Sequence, residues 1–197
     1  ETHFANAAAG GGGPSGRELA AAQRLVDYRR IDLGGRAVRF GAPGMAITLN
    51  GIAQGYITDV VADLLRNEGF DHVVVELGET RVLGTHPDGR PWRVGLRDSE
   101  GGTGRTIELV DQSSATSGGY GTVFDASGQH HHIFDPQTGL SANYLTEAVV
   151  TAPRAMHADA LATALFVAGE DRAADILATA HGARALLTRT DGATVTL

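Results

Sequence analysis

Residues 156–168 read Met-His-Ala-Asp-Ala-Leu-Ala-Thr-Ala-Leu-Phe-Val-Ala, an apolar helical run that holds one carboxylate, Asp159, among alanines and leucines. An ionised carboxylate taken out of water is costly unless a cation or hydrogen-bond donors meet it. No Arg or Lys lies within a helical turn of Asp159 to serve as that partner. Thr163 follows at a spacing of four, on the same helix face, an arrangement that suits a hard cation held by oxygen ligands. Spacing alone also fits an acid favoured at the first turn of a helix by the helix dipole, and structural acids outnumber metal ligands.

The 197 residues suffice for one domain with or without an appendage. A formal charge of −7 and the absence of any basic cluster argue against a grip on a nucleic-acid backbone. All 16 basic residues are Arg. The lack of cysteine excludes disulfides, thiolate zinc sites and thiol nucleophiles. No apolar run approaches the roughly 20 residues that cross a bilayer. Glu1 in place of an initiator Met fits the removal of a signal peptide or of a larger amino-terminal portion.

The small-residue segment 1–16 reads as a flexible linker or loop. Helical spacing over Arg17–Arg30 follows, with Ser15 as N-cap. Residues 36–40 and 45–49 suggest a hairpin around Gly41-Ala-Pro-Gly44. Residues 52–68 form the clearest helix: Ile52, Tyr56, Val60, Val61, Leu64 and Leu65 share a stripe, and Gly69 stands at the C-terminal cap. Strands at 72–77, 81–85, 92–97 and 106–110 make a β-meander, continued through 121–134 and joined by a strand at 147–152. Helices at 156–168 and 170–180 precede a closing hairpin, 185–189 with 193–197, that turns at Asp191-Gly192. Strands in runs with a few long helices predict an α+β fold, a mostly antiparallel sheet packed against those helices.

Three further segments offer chemistry. Asn50-Gly-Ile-Ala-Gln-Gly-Tyr56 joins a strand to the best helix, where glycine lets backbone approach a ligand and free N–H groups favour phosphate; a plain tight turn explains it equally well. Ser113-Ser-Ala-Thr-Ser-Gly-Gly119 has the hydroxyls and flexible backbone of an anion-binding loop, or of an ordinary polar loop. In His130-His-His-Ile-Phe-Asp-Pro-Gln-Thr-Gly139 a continuing strand would put His130 and His132 on one face, allowing a zinc pair, although one acid/base or phosphate-binding histidine is the better reading. Asp135 suits a turn cap. A Ser-His-Asp set can be written from Ser117, His132 and Asp159, but no Gly-x-Ser-x-Gly elbow accompanies it.

Taken in order, Gly51-Ile-Ala-Gln-Gly-Tyr56, Ala115-Thr-Ser-Gly118, His132-Ile-Phe-Asp-Pro-x-Thr-Gly139 and Ala158-Asp-Ala-Leu-Ala-Thr-Ala-Leu-Phe-Val167 resemble the ApbE family, the FAD:protein FMN transferases. The resemblance spans residues 17–197 and implies a T-fold-like α+β architecture, without the amino-terminal portion that members usually carry. It implies cleavage of FAD at its diphosphate, transfer of FMN to a Thr or Ser hydroxyl of an acceptor protein, and release of AMP; some members hydrolyse FAD instead. Magnesium is the implied cofactor, held by Asp159, Thr163 and the Gly51 carbonyl. His132 would take the acceptor's proton, beside the metal-binding Asp159. Gly51, Ala53, Gln54, Gly55, Thr116, Ser117 and His132 would line the FAD site. An envelope or periplasmic location, an acceptor flavoprotein and a membrane-bound electron-transfer partner are implied in the same way. Two positions depart from the pattern. Gln54 stands where a Lys is usual, removing a positive charge. Glu76-Leu-Gly-Glu-Thr80 stands for the usual Asn-Leu-Gly-Gly-Asp. These departures open an alternative, a catalytically weak flavin-binding or assembly module. Thr194, in Asp191-Gly-Ala-Thr194, resembles an acceptor site, but Asp-Gly between apolar strands is also a standard hairpin turn.

Overall fold

The computed structural model describes residues 13–96, 102 and 104–197. In chain order they form α1 (Gly16–Gln23), a 3₁₀ turn (Tyr28–Arg30), β1 (Ile31–Asp32), β2 (Arg39–Phe40), α2 (Ala53–Asn67), β3 (Val73–Glu76) and β4 (Thr80–Leu83). There follow β5 (Trp92–Leu96), β6 (Arg105–Leu109), β7 (Ser113–Gly118), a 3₁₀ turn (Gly119–Gly121), β8 (Leu145–Ala152), α3 (Ala155–Ala168), α4 (Glu170–Leu177), β9 (Arg184–Arg189) and β10 (Thr194–Thr196). Six strands make the main sheet in the order β10-β9-β8-β7-β4-β3, with every neighbouring pair antiparallel. β5 and β6 form a separate hairpin, and β1 pairs with β2. The architecture is α+β, as expected.

α3 is the central helix. It is apolar along most of its length, exposes only His157 and Ala164, and packs on β7, β8, α2 and α4. Leu165 and Phe166 are fully buried and join Leu145, Val150 and Leu187 in the larger apolar cluster, whose buried members all fall within 115–187. Burying each such side chain contributes roughly 1.5–3 kcal/mol. A smaller cluster gathers Ala62, Val75 and Leu83, with Val61, Leu65 and Val73 against it. α2, which carries Ala62 of the smaller cluster, packs against α3, the helix of the larger one.

Three differences from the sequence expectations bear on the site. The hydroxyl-rich segment 113–118 is β7, an inner strand between β4 and β8, with Ser113, Ser114 and Ser117 buried. Small side chains let α3 lie close over it; β8 pairs along its whole length, β4 only at Ser113 and Ser114. The stretch 121–134 is not a continued meander: Val123↔His131 and Phe134↔Ser141 are isolated bridges amid bends. α2 turns the opposite way from its stripe: Tyr56, Val60 and Leu64 are exposed, whereas Gly55, Thr58, Asp59 and Ala62 are buried. Val61 and Leu65 alone of that stripe reach the smaller cluster.

Elsewhere, the helix expected over 17–30 stops after Gln23, because Asp27 Oδ1 accepts from the Arg29 N–H at 3.2 Å and caps a separate turn. Ser15 does cap α1, in a capping box with Glu18. Most of the linker expected at 1–16 lies outside the described residues. Residues 45–49 form no strand, and β2 pairs with β1 instead. Gly69, at φ +89°, follows α2 as expected.

Candidate functional site

The site begins with two helix N-termini that lack caps of their own. Neither Ile52 before α2 nor Arg154 before α3 provides a side-chain cap, so the first N–H groups of both helices need acceptors from elsewhere. Each helix supplies an aspartate to the other. Asp159 of α3 accepts from the Gly55 N–H at 3.0 Å. Asp59 of α2 accepts from the Ala155 and Met156 N–H groups, each at 3.0 Å. Glycine at 55 makes the crossing possible, since a Cβ there would stand 2.3 Å from the Ala155 carbonyl oxygen.

Charge separates the two aspartates. Asp59, 1 % exposed, pairs with Arg81 at 2.9 Å and with Arg154 at 3.2 Å. Arg81, on β4, also donates to the Pro153 carbonyl at 2.6 Å. Asp159, 5 % exposed, faces a cleft of about 530 Å³ with no Arg among its described lining residues. Burial raises its carboxyl above the ordinary carboxylate range, and the Gly55 N–H offsets part of that rise.

One turn beyond Asp159, the Thr163 hydroxyl lies 3.1 Å from the Ser117 hydroxyl on β7. Gly51 closes against them: a Cβ on it would stand 3.3 Å from Thr163 Oγ1. Asp159, Thr163, Ser117 and Gly51 thus converge from α3, β7 and the junction before α2. Thr116 and Gln54 also line the cleft, and Gln54 reaches Gly78 so closely that a Cβ there would meet its Nε2 at 2.7 Å. Ala53 and Gly55 lie behind the wall. The Ala53 N–H closes the turn onto the Leu49 carbonyl at 2.8 Å, while Gly55 acts through its amide on Asp159.

Glu79, read in the sequence only as a departure from a motif, is a second buried acid in the wall. Burial pushes its carboxyl up to about 8, with the charges of Asp159 and Glu76 adding to the rise and the Thr116 N–H opposing it. Gly78, at φ +104°, makes the tight turn that returns Glu79 to the cleft. Tyr120 was likewise missed: it lines the cleft and donates to the buried Glu147 at 2.9 Å, and Glu147 pairs in turn with Arg105.

His132 stands exposed at the rim, its Nδ1 3.3 Å from the Thr122 carbonyl oxygen. Donation from Nδ1 leaves Nε2 as an acceptor for an incoming hydroxyl. His131 lies behind it, buried. The Ile133 N–H donates to its Nδ1 at 3.3 Å, its Nε2 lies 3.0 Å from the Ala142 carbonyl, and burial lowers its pKa. His130 pairs with Asp125 at 2.9 Å. The histidines are therefore not a zinc pair on one strand, and no group of three His, Cys, Asp or Glu among the described residues is placed to hold a metal. The Ser-His-Asp set is not wired as a relay either, because Ser117 bonds Thr163, Asp159 bonds Gly55 and His132 bonds Thr122.

What the residues do fit is a hard cation. Its donors would be one carboxylate and neutral oxygens, beside a second buried acid, in a cleft whose described residues include no basic side chain except the rim histidine. Fold and cleft thus define an oxygen-lined α+β domain, distinct from a serine hydrolase or a histidine-zinc protein. The chain belongs to the ApbE family, whose model matches residues 3–187. It is 34% identical over 165 residues to the FAD:protein FMN transferase of Vibrio cholerae, covering 81% of this chain and 49% of that protein. With the FAD:protein FMN transferase of Treponema pallidum it shares 37% identity over 197 aligned positions, 88% of this chain and 54% of the relative. Among solved structures, the ApbE protein of Thermotoga maritima superposes with a TM-score of 0.83 at 31% identity, over 92% of this chain and 61% of that one. The flavin transferase ApbE of V. cholerae gives 0.76 at 29% identity, over 94% and 61% respectively. The chain spans about half the length of these curated relatives.

Proposed function

We propose that this domain transfers FMN from FAD to a Thr or Ser hydroxyl of an acceptor protein, with magnesium, and releases AMP. The observation that carries the reading is the convergence of Asp159, Thr163, Ser117 and Gly51 on a cleft rimmed by His132. The relatives named FAD:protein FMN transferase support the flavin chemistry. Asp159, Thr163 and the Gly51 carbonyl would hold the cation. Bound there, it would neutralise diphosphate charge and favour the departure of AMP.

The chain's own residues account for the rest. Thr116, Ser117, Gly51 and Gln54, which line the cleft, offer hydroxyl and amide donors to phosphate oxygens, whereas the Ala53 and Gly55 N–H groups are already engaged within the fold. His132, acceptor at Nε2, takes the proton of the attacking hydroxyl as the new P–O bond forms and the bond to the AMP phosphate breaks. Gln54 leaves the cleft one cation short of the family pattern and places more of the charge balance on the metal. Thr194 lies exposed on the edge strand β10, in a hairpin whose turn Asp191 caps through the Ala193 N–H at 2.9 Å; that hairpin accounts for the Asp-Gly-Ala-Thr segment. An acceptor in the cell envelope, serving a membrane-bound electron-transfer partner, is the setting we infer for the activity.

Incubation with FAD, magnesium and a threonine-containing acceptor peptide tests the reading. AMP release with an FMN-sized mass gain on the peptide is the expected result. FMN and AMP without the peptide adduct would mark a hydrolase, and flavin binding without AMP would mark a binding module.

A further inference from the structure

The geometry points to Asp59 as a positioning residue for the cation site: it fixes the N-terminus of α3 so that Asp159 meets Gly55 and presents its remaining oxygen to the cleft. The inference rests on the reading of Asp159 as a metal ligand. Asp59 does not itself serve as one, because two arginines and two backbone N–H groups already occupy its oxygens.

The path from Asp59 to the site is short, with a direct contact at every step. Asp59 bonds the Ala155 and Met156 amides, and Asp159 follows Ala155 by one helical turn. Arg81 ties Asp59 to the Pro153 carbonyl, so the β8–α3 connection and the start of α3 are held from the same strand, β4. The return contact, Asp159 to the Gly55 N–H, sits one turn before Asp59 on α2. The two bonds form a clasp across the helix crossing, and the lack of a Cβ at 55 sets its depth. Rotation or sliding of α3 by a fraction of a turn would break the Gly55 bond and carry Thr163 away from Ser117 and Gly51. Metal sites are sensitive to such displacement, and loss of a residue that orients a ligand typically weakens binding 10–100-fold.

The test uses the full chain, with Mn²⁺ alone as an electron-paramagnetic-resonance probe and amide hydrogen exchange as a metal-free readout. Asp59→Asn should weaken Mn²⁺ binding at least tenfold and speed exchange at Gly55, at a temperature where the variant is folded. Asp63→Asn, which meets Arg154 at the surface 2.9 Å away, should change neither. Arg154→Gln, which removes the outer of the two guanidiniums, should give a smaller loss of about threefold and serves if Asp59→Asn does not fold. Folded Asp59→Asn or Arg154→Gln with wild-type Gly55 exchange and wild-type Mn²⁺ affinity would overturn the proposal. Asp159→Asn separates the two ideas. If it binds Mn²⁺ as the wild type does, the metal reading fails, and Gly55 exchange still decides whether Asp59 holds the clasp.

Discussion

Asp59 and Asp159 are buried in the same helix crossing and each caps the other's helix, yet their surroundings oppose one another. Asp59 is saturated, with two guanidiniums and two amides around it. Asp159 has one amide and a cleft without arginine among the described residues. A saturated buried charge holds structure together, whereas an undercompensated one at a cavity is where a ligand gains most by binding. The contrast fits one aspartate to architecture and the other to the proposed chemistry, although sequence context makes them look alike.

Removing each partner in turn can break that contrast. Asp59→Ala strands Arg81 in the interior, 4 % exposed, and should cost about 3–5 kcal/mol in urea unfolding. Asp159→Asn should do the reverse: stability within about 1 kcal/mol of wild type, because an amide oxygen still accepts from Gly55 and no buried charge remains. If Asp159 holds the cation as proposed, FMN transfer should fall in that variant by about a hundredfold or more. Comparable destabilisation by the two substitutions would erase the distinction.

The pH dependence sharpens it. Glu79, raised to about 8, stays protonated in the folded chain at pH values where the unfolded chain has already ionised near 4.5. Its contribution to stability is therefore complete below about pH 4.5 and disappears as pH rises through 8. Urea midpoints should decline over that range by the equivalent of a few kcal/mol, and Glu79→Gln should flatten the decline. A cation bound beside Glu79, as proposed, would displace the proton, so magnesium should flatten the decline as well and release protons on binding. Gly55→Ala should cost about 1–3 kcal/mol by forcing the helices apart, with transfer activity falling alongside. The smallest effect belongs to Asp63→Asn at the exposed end of the same arginine pair, below about 1 kcal/mol by thermal unfolding.

Much of this was legible in the sequence, for reasons that also explain what was not. Periodicity and capping signals located α2 and α3 to within a residue or two, and the four motif segments do converge on one cleft. Period alone does not say which face of a helix turns inward. The apolar stripe Tyr56, Val60 and Leu64 suggested the core side of α2, but the buried side holds Thr58 and Asp59, whose partners Gln54, Arg81 and Arg154 are brought by the turn of the helix itself, by β4 and by the start of α3. Asp59 was passed over because its cations are far away in sequence. A signal existed: Asp59, like Asp159, has no arginine at helical-neighbour spacing on its own helix. Ser113–Gly118 was read by polarity as a loop, although its small volumes suit a strand lying under a close-packed helix. Glu79 escaped because only the φ of Gly78 aims it inward.

The seam between the two apolar clusters also governs how the molecule comes apart. The larger cluster is built from the C-terminal half alone, so α2, β3 and β4 are the elements that can detach while it persists. That opening pulls Gly55 from Asp159 and Gly51 from Thr163. Any cation bridging them acts as a rivet, and its binding energy adds to the work of local opening. Limited proteolysis of the α2–β4 segment should therefore slow as the cation concentration rises, well before the C-terminal core registers any change.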